Sequence, residues 1–412
     1  MKIKGLIFIL LLVTSQLLIA QTPNINGFVR NYSGVLFDDG DFSIQQNTLS
    51  LDFSKSGNKV AFKANPMLYH YNEDSLDFRM REVYLDLYFD NFDLRIGKQQ
   101  IVWGKADGAF ITDIVSPLNL TEFLLPDFDE IRRGVNAIKF DYYIGNSIFE
   151  IIWMPVFTST QKPTENSIWY IKPEFPAPVT FDWSKSDIDA SLENSEVFMK
   201  YSALTSKIDF EIMGGYTWDD NPTMHTEKQF DMSSGSPILT GLNITPKYHR
   251  LTIGGGSFST EIKGVVLRGE AAYYNGKYFQ TEDSSAVDAI IEKNYLHYLL
   301  GFDFVVGGTT VSTQLIQESI LDYDENILTD QIETTMTFLI RDDFMHETLH
   351  IELFTYLGLN NEDALIRPKI TYDFDDSFSI LAGSNIFVGD RDGRFGQYKD
   401  NSMGYLKIKY SF

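Results

Sequence analysis

Residues 346–350 read His-Glu-Thr-Leu-His, the pattern in which a zinc protease uses two histidines as metal ligands and the glutamate as general base. That chemistry requires a helix, because a helix places the two histidines one turn apart on one face. Here Leu349 and Ile351 alternate with His350 and Glu352, which is typical of a strand. In a strand the two histidines lie about 13 Å apart, too far to share one zinc ion.

The other motifs that could support metal binding or catalysis are incomplete. Asp390 and Asp392 precede Gly393 as in a calcium-binding loop, but the third ligand before the glycine and the later glutamate are missing. The chain has six histidines, and no sequence pattern pairs one of them with a nucleophilic serine. The sequence therefore predicts that the protein is not an enzyme. It predicts no catalytic residue, no metal and no cofactor.

The composition limits the class of protein further. The chain has 412 residues, and its net charge of −23 argues against nucleic-acid binding. It contains no cysteine, so stability must come from burial and hydrogen bonding without disulfides. Its 22 tyrosines and 32 phenylalanines are numerous enough for the two aromatic girdles of a membrane-spanning barrel.

The C-terminal segment alternates strictly and ends on an aromatic residue. Leu406, Ile408, Tyr410 and Phe412 fall on one face, and two lysines and a serine fall on the other. This pattern predicts a half-buried strand with no turn after it. It resembles the closing strand of bacterial outer-membrane β-barrels, in which the final aromatic residue helps the barrel-assembly machinery recognise its client. We therefore expect Phe412 to be read by that machinery.

The N-terminal segment has the form of a secretory signal peptide. Lys2 and Lys4 precede a long apolar run, and the small residue Ala20 stands before Gln21. We expect residues 1–20 to be removed on export; the alternative is a membrane-anchoring helix, for which the apolar core is short. The remaining residues, 21–412, are predicted to form a single transmembrane β-barrel domain in the outer membrane.

Period-two segments bounded by turn residues predict about eighteen strands, with sixteen as the alternative. The expected fold class is all-β: a closed antiparallel transmembrane β-barrel. Every second connection is tight and most of the others are long, which is typical of a barrel with short periplasmic turns and long outer loops. The predicted strands are 26–37, 42–54, 58–71, 80–90, 92–103, 133–143, 147–157, 195–205, 207–218, 247–260, 263–276, 293–306, 308–321, 330–342, 345–357, 365–374, 377–388 and 402–412.

Each predicted strand has one apolar and one polar face, and the polar faces must point inward because charge on a lipid-facing surface costs about 2–4 kcal/mol at the midplane. Inward charges of both signs could orient a permeating solute. The alternative is that they pair across strands and only stabilise the wall. Our candidate pore-lining or constriction residues are Asp107, Asp113, Arg132, Arg133, Lys139, Arg268, Glu270, Arg367, Lys369, Lys407 and Lys409.

The connection 104–132, the third outer loop, is unusually apolar for a segment exposed to water. We expect it to fold back into the barrel and to narrow or plug it, as the third loop does in general porins. The alternative is a loop packed on the rim or against a neighbouring protomer.

The segment from Leu94 to Gly104 reads Leu-Arg-Ile-Gly-Lys-Gln-Gln-Ile-Val-Trp-Gly, and Ser116-Pro-Leu-Asn119 and Arg132-Arg-Gly follow it. It resembles a family of poorly characterised, porin-like outer-membrane barrels of Gram-negative-type bacteria with a Gly-basic-Gln…Trp-Gly signature. Ser116 and Asn119 stand where that family has Asn and Asp. The resemblance implies a porin-like barrel, and no established substrate.

Two functions follow from these patterns. The first is a porin-like channel for passive diffusion of small polar or charged solutes, and the alternative is a transporter for hydrophobic or amphiphilic ligands with a plugged lumen and a lateral exit. A barrel with only a structural role is a third class. The expected partners are outer-membrane lipid and an unnamed small solute, and a homo-oligomer stays open.

Overall fold

The computed structural model describes residues 23–71, 75–233 and 236–412. The predicted signal peptide lies outside these residues. Twenty-one strands occur in the described chain, and eighteen of them form one antiparallel sheet that closes on itself. The barrel strands are β1 (Asn24–Leu36), β2 (Phe42–Ser56), β3 (Val60–Tyr71), β4 (Leu76–Tyr88), β5 (Phe92–Gln99), β6 (Val135–Ile144), β7 (Ser147–Met154), β9 (Glu196–Leu204), β10 (Asp209–Trp218), β13 (Arg250–Ile262), β14 (Val265–Gln280), β15 (Ile290–Val306), β16 (Thr309–Ile320), β17 (Ile332–Phe344), β18 (Leu349–Gly358), β19 (Asp363–Asp373), β20 (Phe378–Val388) and β21 (Met403–Ser411).

The barrel closes where the last strand, β21, pairs with the first, β1. The pairing extends to the final residue: the N–H of Phe412 donates to the carbonyl of Gly27 at 2.9 Å, and the N–H of Gly27 donates to the carbonyl of Phe412 at 2.8 Å. The prediction of an all-β, closed antiparallel barrel with eighteen strands is therefore confirmed.

The short and long connections lie at opposite ends of the barrel, which we call the turn end and the loop end. The turn end holds segments such as 145–146 and 307–308, and at the latter Gly307 and Gly308 have φ of 61° and 107°, which favour glycine. The loop end holds the longer segments, as predicted. The turn 345–348 corrects the predicted strand 345–357, because β18 begins only at Leu349.

That correction also places the zinc-protease motif. His346 and Glu347 lie in the turn with φ of 59° and 64°, and His350 lies in β18. The two nitrogens of His350 contact Asp343 at 2.6 Å and Asp373 at 3.0 Å. The motif is therefore a turn and a strand rather than a helix. Within the described residues, no group of three or more His, Asp and Glu side chains could hold a metal ion, and no helix is long and apolar enough to cross a bilayer.

Alternation sorts the side chains of each barrel strand between two faces. On β10, Ile212 is 61% exposed and Tyr216 also faces outward, whereas Met213 is buried and Thr217 is 3% exposed. On β15, Leu300 faces outward in the same way. The exterior is therefore apolar and the interior carries the polar side chains, as the faces predicted.

Aromatic rings flank the short turns. Phe89 and Phe92 stack with 4.3 Å between ring centroids on either side of the turn 89–91, and Phe374 and Phe378 do the same at 5.2 Å beside the turn 374–377. Aromatic rings in this position are typical of the girdles that flank the apolar band of such barrels.

Two long loops form a separate three-stranded sheet at the loop end, which the sequence did not predict. It consists of β8 (Val179–Phe181), β11 (Thr223–Asp231) and β12 (Ile238–Lys247). β11 and β12 are antiparallel, and β8 lies parallel to β12.

Candidate functional site

Residues 100–134 connect β5 to β6, and we call them the inward loop. They bond to side chains of β1, β7, β14, β16, β18, β19 and β21, strands that are spread around the whole barrel. A segment that reaches all these walls lies inside the lumen. The side chains that hold it are those that alternation turns inward.

Strand β14 holds the first part of the loop. Glu270 accepts from the backbone N–H of Lys105 at 2.6 Å and from the backbone N–H and hydroxyl of Thr112 at 3.2 Å and 2.7 Å. Two residues along, Arg268 donates to the carbonyl of Lys105 at 2.8 Å and pairs with the carboxylate of Asp107. The predicted pore-lining residues Arg268 and Glu270 are thus brought together with Asp107 to fix the loop.

Asp113 and Arg132 pair with each other within the loop, with 0% and 2% of their side chains exposed. Asp113 also accepts from the backbone N–H of Trp103 at 3.2 Å, and the guanidinium of Arg132 lies 3.9 Å from the ring centroid of Phe128. Burial raises the pKa of Asp113, and the positive charge of Arg132 opposes that shift. These two predicted residues therefore connect two parts of the loop and do not line a surface that is open to solute.

Strands β18 and β19 hold the far side of the loop. Arg367 donates to the carbonyls of Leu124 and Leu125, each at 3.0 Å, and the hydroxyl of Tyr356 donates to the carbonyl of Gly108 at 2.8 Å. Phe123 packs among aromatic residues of β20 and the last long loop. Apolar residues of the loop such as Ile111, Val115 and Leu125 are buried against their surroundings, whereas Phe128 is 51% exposed.

Strands β1 and β21 add an ionic attachment. Arg30 donates two hydrogen bonds to Glu130, at 2.8 Å and 3.0 Å, and Lys407 contacts Asp127 at 2.8 Å. Burial opposes ionisation of Asp127, but Lys407 and Arg30 together lower its pKa to about 2. The sequence analysis named Lys407 and missed Arg30, although Arg30 has the same inward parity as its neighbour Tyr32.

Three of the predicted lysines pair with the wall. Lys139 lies between Asp141 at 2.5 Å and Glu150 at 3.1 Å, and the ammonium of Lys409 lies 4.8 Å from the ring centroid of Phe28. Lys369 pairs with Glu352 at 2.8 Å and also borders a cavity. For Lys139 and Lys409 these contacts match the alternative in which charges stabilise the wall.

Two cavities lie on opposite sides of the inward loop. One, of about 270 Å³, is bordered by Lys277 and Glu318, near the loop end of their strands. The other, of about 440 Å³, is bordered by Arg341 and Lys369, toward the turn end. Phe110 borders both cavities, so its ring stands between them.

Arg133 lies apart from the other candidate constriction residues. Its guanidinium donates to the carbonyl of Ser159, and it borders a third cavity, of about 340 Å³, with Arg79, Arg81 and Lys98. This cavity lies at the wall beside β4, away from Asp107 and Arg268. The sequence could not place it there, because Arg133 is separated from β4 by the whole inward loop.

A closed barrel of eighteen strands with an inward loop after its fifth strand has the architecture of outer-membrane porins. A family model described as "Protein of unknown function (DUF1302)" matches residues 27–149, which include the whole inward loop. No curated protein matches the chain.

Solved structures with this fold cover nearly the whole chain at low identity. The chain is similar to OccK2 (OpdF) of Pseudomonas aeruginosa in complex with glucuronate, with a TM-score of 0.56, 11% identity and coverage of 95% of this chain and 98% of that one. It is similar to OccAB3 of Acinetobacter baumannii, with a TM-score of 0.53, 10% identity and coverage of 96% and 100%. It is also similar to OpdK of Pseudomonas aeruginosa with vanillate, with a TM-score of 0.52, 10% identity and coverage of 94% and 98%.

Proposed function

We propose that this protein is an outer-membrane channel through which small charged solutes diffuse passively, with the inward loop as its constriction. The observation that carries the proposal is the pair of charged cavities on either side of that loop, separated by Phe110. A passage between them would run from the loop end toward the turn end of the barrel.

The outer surface supports a location in the membrane. In water, a continuous apolar exterior would aggregate, whereas in lipid it is required. Pairing between neighbouring strands also satisfies backbone hydrogen bonds within the wall, as a bilayer demands. The aromatic rings at the turn end suit one interface, and short turns of such barrels face the periplasm. The long loops would then face outward from the cell.

The charges beside the route suggest which solutes to test first. Three cations, Arg341, Arg367 and Lys369, and three carboxylates border the cavity on the turn side. The carboxylates are paired with Arg268, Lys407 and Lys369, whereas Arg341 and Arg367 have no carboxylate within ion-pair distance among the described residues. Cations in a narrow passage with low-dielectric walls attract anions strongly. Glucuronate and vanillate, held by two of the similar barrels, both carry a carboxylate. Small carboxylates are therefore the first class of solute to test.

Planar bilayers provide the experiment. Purified protein should give stepwise conductance, and a salt gradient should give a reversal potential of the sign that anion preference requires. Arg341→Glu with Lys369→Glu should move that potential toward cation preference. Arg391→Glu, at an exposed position in the last long loop, is the matched control and should leave the potential unchanged. A bilayer that stays sealed at all voltages and pH values would contradict the proposal.

The alternative predicted from the sequence, transport of hydrophobic or amphiphilic ligands, stays a prediction. A homo-oligomer and recognition of Phe412 by the assembly machinery also stay predictions.

A further inference from the structure

The barrel wall has a step beside β4. Strand β5 pairs only with residues 83–88 of β4, which gives six residue pairs from Val83↔Lys98 to Tyr88↔Asp93. β5 then ends at Gln99, where β6 begins opposite it at Val135. Residues 76–82 of β4 continue toward the loop end, and on this side no described strand pairs with them.

The shape of β4 at this step is set by a bulge. The register with β3 passes from Asn65↔Glu82 to Pro66↔Met80, so Arg81 is the extra residue. Pro66 has no N–H to donate, and a bulge bends a strand and changes the direction of its side chains. Both ends of the inward loop approach this edge: Gln100 donates its backbone N–H to Glu82 at 3.0 Å, and Gly134 lies against the carbonyl of Arg81.

The cavity of about 340 Å³ passes around the free edge of β4. It is bordered by Asp77 and Arg79 and also by Phe78 and Met80, which are the next residues along the same strand. Successive side chains of a strand point to opposite faces of the sheet. Phe78 is 65% exposed on the outer face. Because residues of both faces border it, the cavity lies at the edge of β4, where neither β5 nor β6 closes the wall.

The opening lies at the height of the lipid. Six paired residues of a strand tilted by about 40° rise about 16 Å from the turn end, and the apolar band of such barrels is about 25 Å tall. The upper part of that band therefore meets the free edge of β4 rather than a paired wall. With the orientation proposed above, this is the outer leaflet.

The opening carries excess positive charge. Arg79, Arg81, Lys98 and Arg133 border it, and of these only Arg79 has a carboxylate within ion-pair distance among the described residues, Asp77 at 2.6 Å. The Nε of Arg81 is buried without a hydrogen-bond partner. Burial and the nearby charge of Arg79 lower the pKa of Arg133, as expected where cations crowd without an anion.

The acids nearby are already paired. Glu130 is held by Arg30, and Glu82 contacts Lys63 at 3.2 Å. Apolar side chains complete the lining: Met67 and Tyr69 on the inner face, and Phe78 and Met80 on the outer face. The cavity thus offers cationic donors for an anion beside apolar side chains that face lipid.

We propose that this opening, which we call the β4 notch, binds the anionic headgroup of a single-chain amphiphile whose tail leaves the wall past Phe78 and Met80. The site rests on the membrane location proposed above, and it goes beyond the passage of solutes through the lumen. Arg81 and Arg133 hold the headgroup. The amphiphile can then move between the cavity and the bilayer without separation of any paired strands.

Photo-crosslinking in nanodiscs of neutral phosphatidylcholine tests the site. The probes are a diazirine-labelled fatty acid and the matching fatty alcohol, and mass spectrometry locates the crosslinks. The fatty-acid probe should crosslink within residues 76–82. Its concentration for half-maximal crosslinking should be at least tenfold lower than that of the fatty alcohol. Equal labelling by both probes, or crosslinks spread evenly around the barrel exterior, would overturn the proposal.

Two sets of variants separate the headgroup from the tail. Arg81→Gln with Arg133→Gln should raise half-saturation for the fatty acid at least tenfold and leave the alcohol unchanged, and Arg391→Gln is the matched control with no effect. The chain has no cysteine, so a bulky maleimide can be attached only to the new cysteine of Phe78→Cys. The attached maleimide should abolish crosslinking by the fatty-acid probe. Full labelling of the blocked variant would contradict the proposed exit.

Two further measurements define the occupant and keep this proposal distinct from the channel. An equal mole fraction of phosphatidylglycerol should not displace the fatty acid; displacement would overturn the assignment, because the occupant would then be bilayer lipid. Ion conductance of maleimide-blocked Phe78→Cys should equal that of unlabelled protein. If the protein conducts but the fatty-acid probe does not crosslink at the β4 notch, only this inference is contradicted. If the probe crosslinks there but the bilayer stays sealed, only the channel is contradicted.

Discussion

Asp113 and Arg132 form an ion pair in the middle of the inward loop, and neither side chain exposes more than 2% of its surface. A buried pair of this kind adds little net stability by itself, but removal of one partner leaves the other charge without compensation. The pair therefore ties the two limbs of the loop together, because Asp113 lies on one limb and Arg132 on the other.

Asp113→Asn should loosen the inward loop without opening the barrel. The guanidinium of Arg132 then stays buried without a counter-charge, which costs about 3–5 kcal/mol of loop docking. Hydrogen exchange should accelerate in residues 100–134 while the paired strands keep their protection. Asp113→Leu with Arg132→Met removes both charges and should restore protection. Unchanged exchange in the single variant would show that the pair does not hold the loop.

Phe110→Ala should raise single-channel conductance. The ring stands between the two cavities, and its removal joins them. Phe175→Ala is the matched control, since Phe175 is exposed in the long loop between β7 and β9 and borders neither cavity. If Phe110→Ala conducts like the unmodified protein, the route does not pass this side chain.

Loop docking should weaken as pH rises. Burial raises the pKa of Glu122 to about 7, although Lys407 opposes the shift. The folded pKa is higher than the ordinary value of 4.5, so docking is strongest below pH 4.5 and is lost as pH rises through 7. Hydrogen exchange of residues 119–127, corrected for intrinsic rates, should increase between pH 5 and about pH 8. Glu122→Gln should abolish this step, whereas Glu325→Gln, at an exposed loop position, should retain it.

Phe412→Ala should impair assembly in cells more than folding in detergent. The backbone of residue 412 pairs with Gly27 in both directions, and this substitution keeps both hydrogen bonds. The ring itself is 50% exposed, so its loss leaves most of the closing contact intact. Outer-membrane yield should fall several-fold, while refolding yield, read from the migration of unheated protein on gels, stays the same. Equal losses in both assays would assign the ring to barrel stability instead.

The sequence predicted those parts of the fold that local alternation determines. On β10, and on β15 between Leu296 and Phe304, one face is apolar, so strand positions and inward residues followed directly from period two. Arg268 and Glu270 were named correctly as inward, but their partners Lys105 and Asp107 lie about 160 residues away along the chain. No local pattern specifies such a partner.

Features that depend on register or on exposed residues were not predictable. The β4 notch arises from an offset between the ends of β4 and β5, next to a register shift between β3 and β4 at Pro66, and period two specifies neither. The small sheet contains β8, a strand of three residues, and β11, whose second half is exposed on both faces and so lacks an apolar stripe. Arg133 was named as a pore-lining or constriction candidate beside Arg132, yet the two side chains have different partners: Arg132 pairs with Asp113, and Arg133 donates to the carbonyl of Ser159.

The most direct test of the channel is the single-channel conductance of a variant in which residues 110–128 are replaced by a short Gly-Ser linker. Strand pairing closes the barrel, so this variant should assemble. We predict a several-fold rise in conductance and passage of larger solutes, since both Phe110 and the segment held by Arg367 are gone. A correctly folded variant whose conductance and solute size limit equal those of the unmodified protein would contradict the constriction.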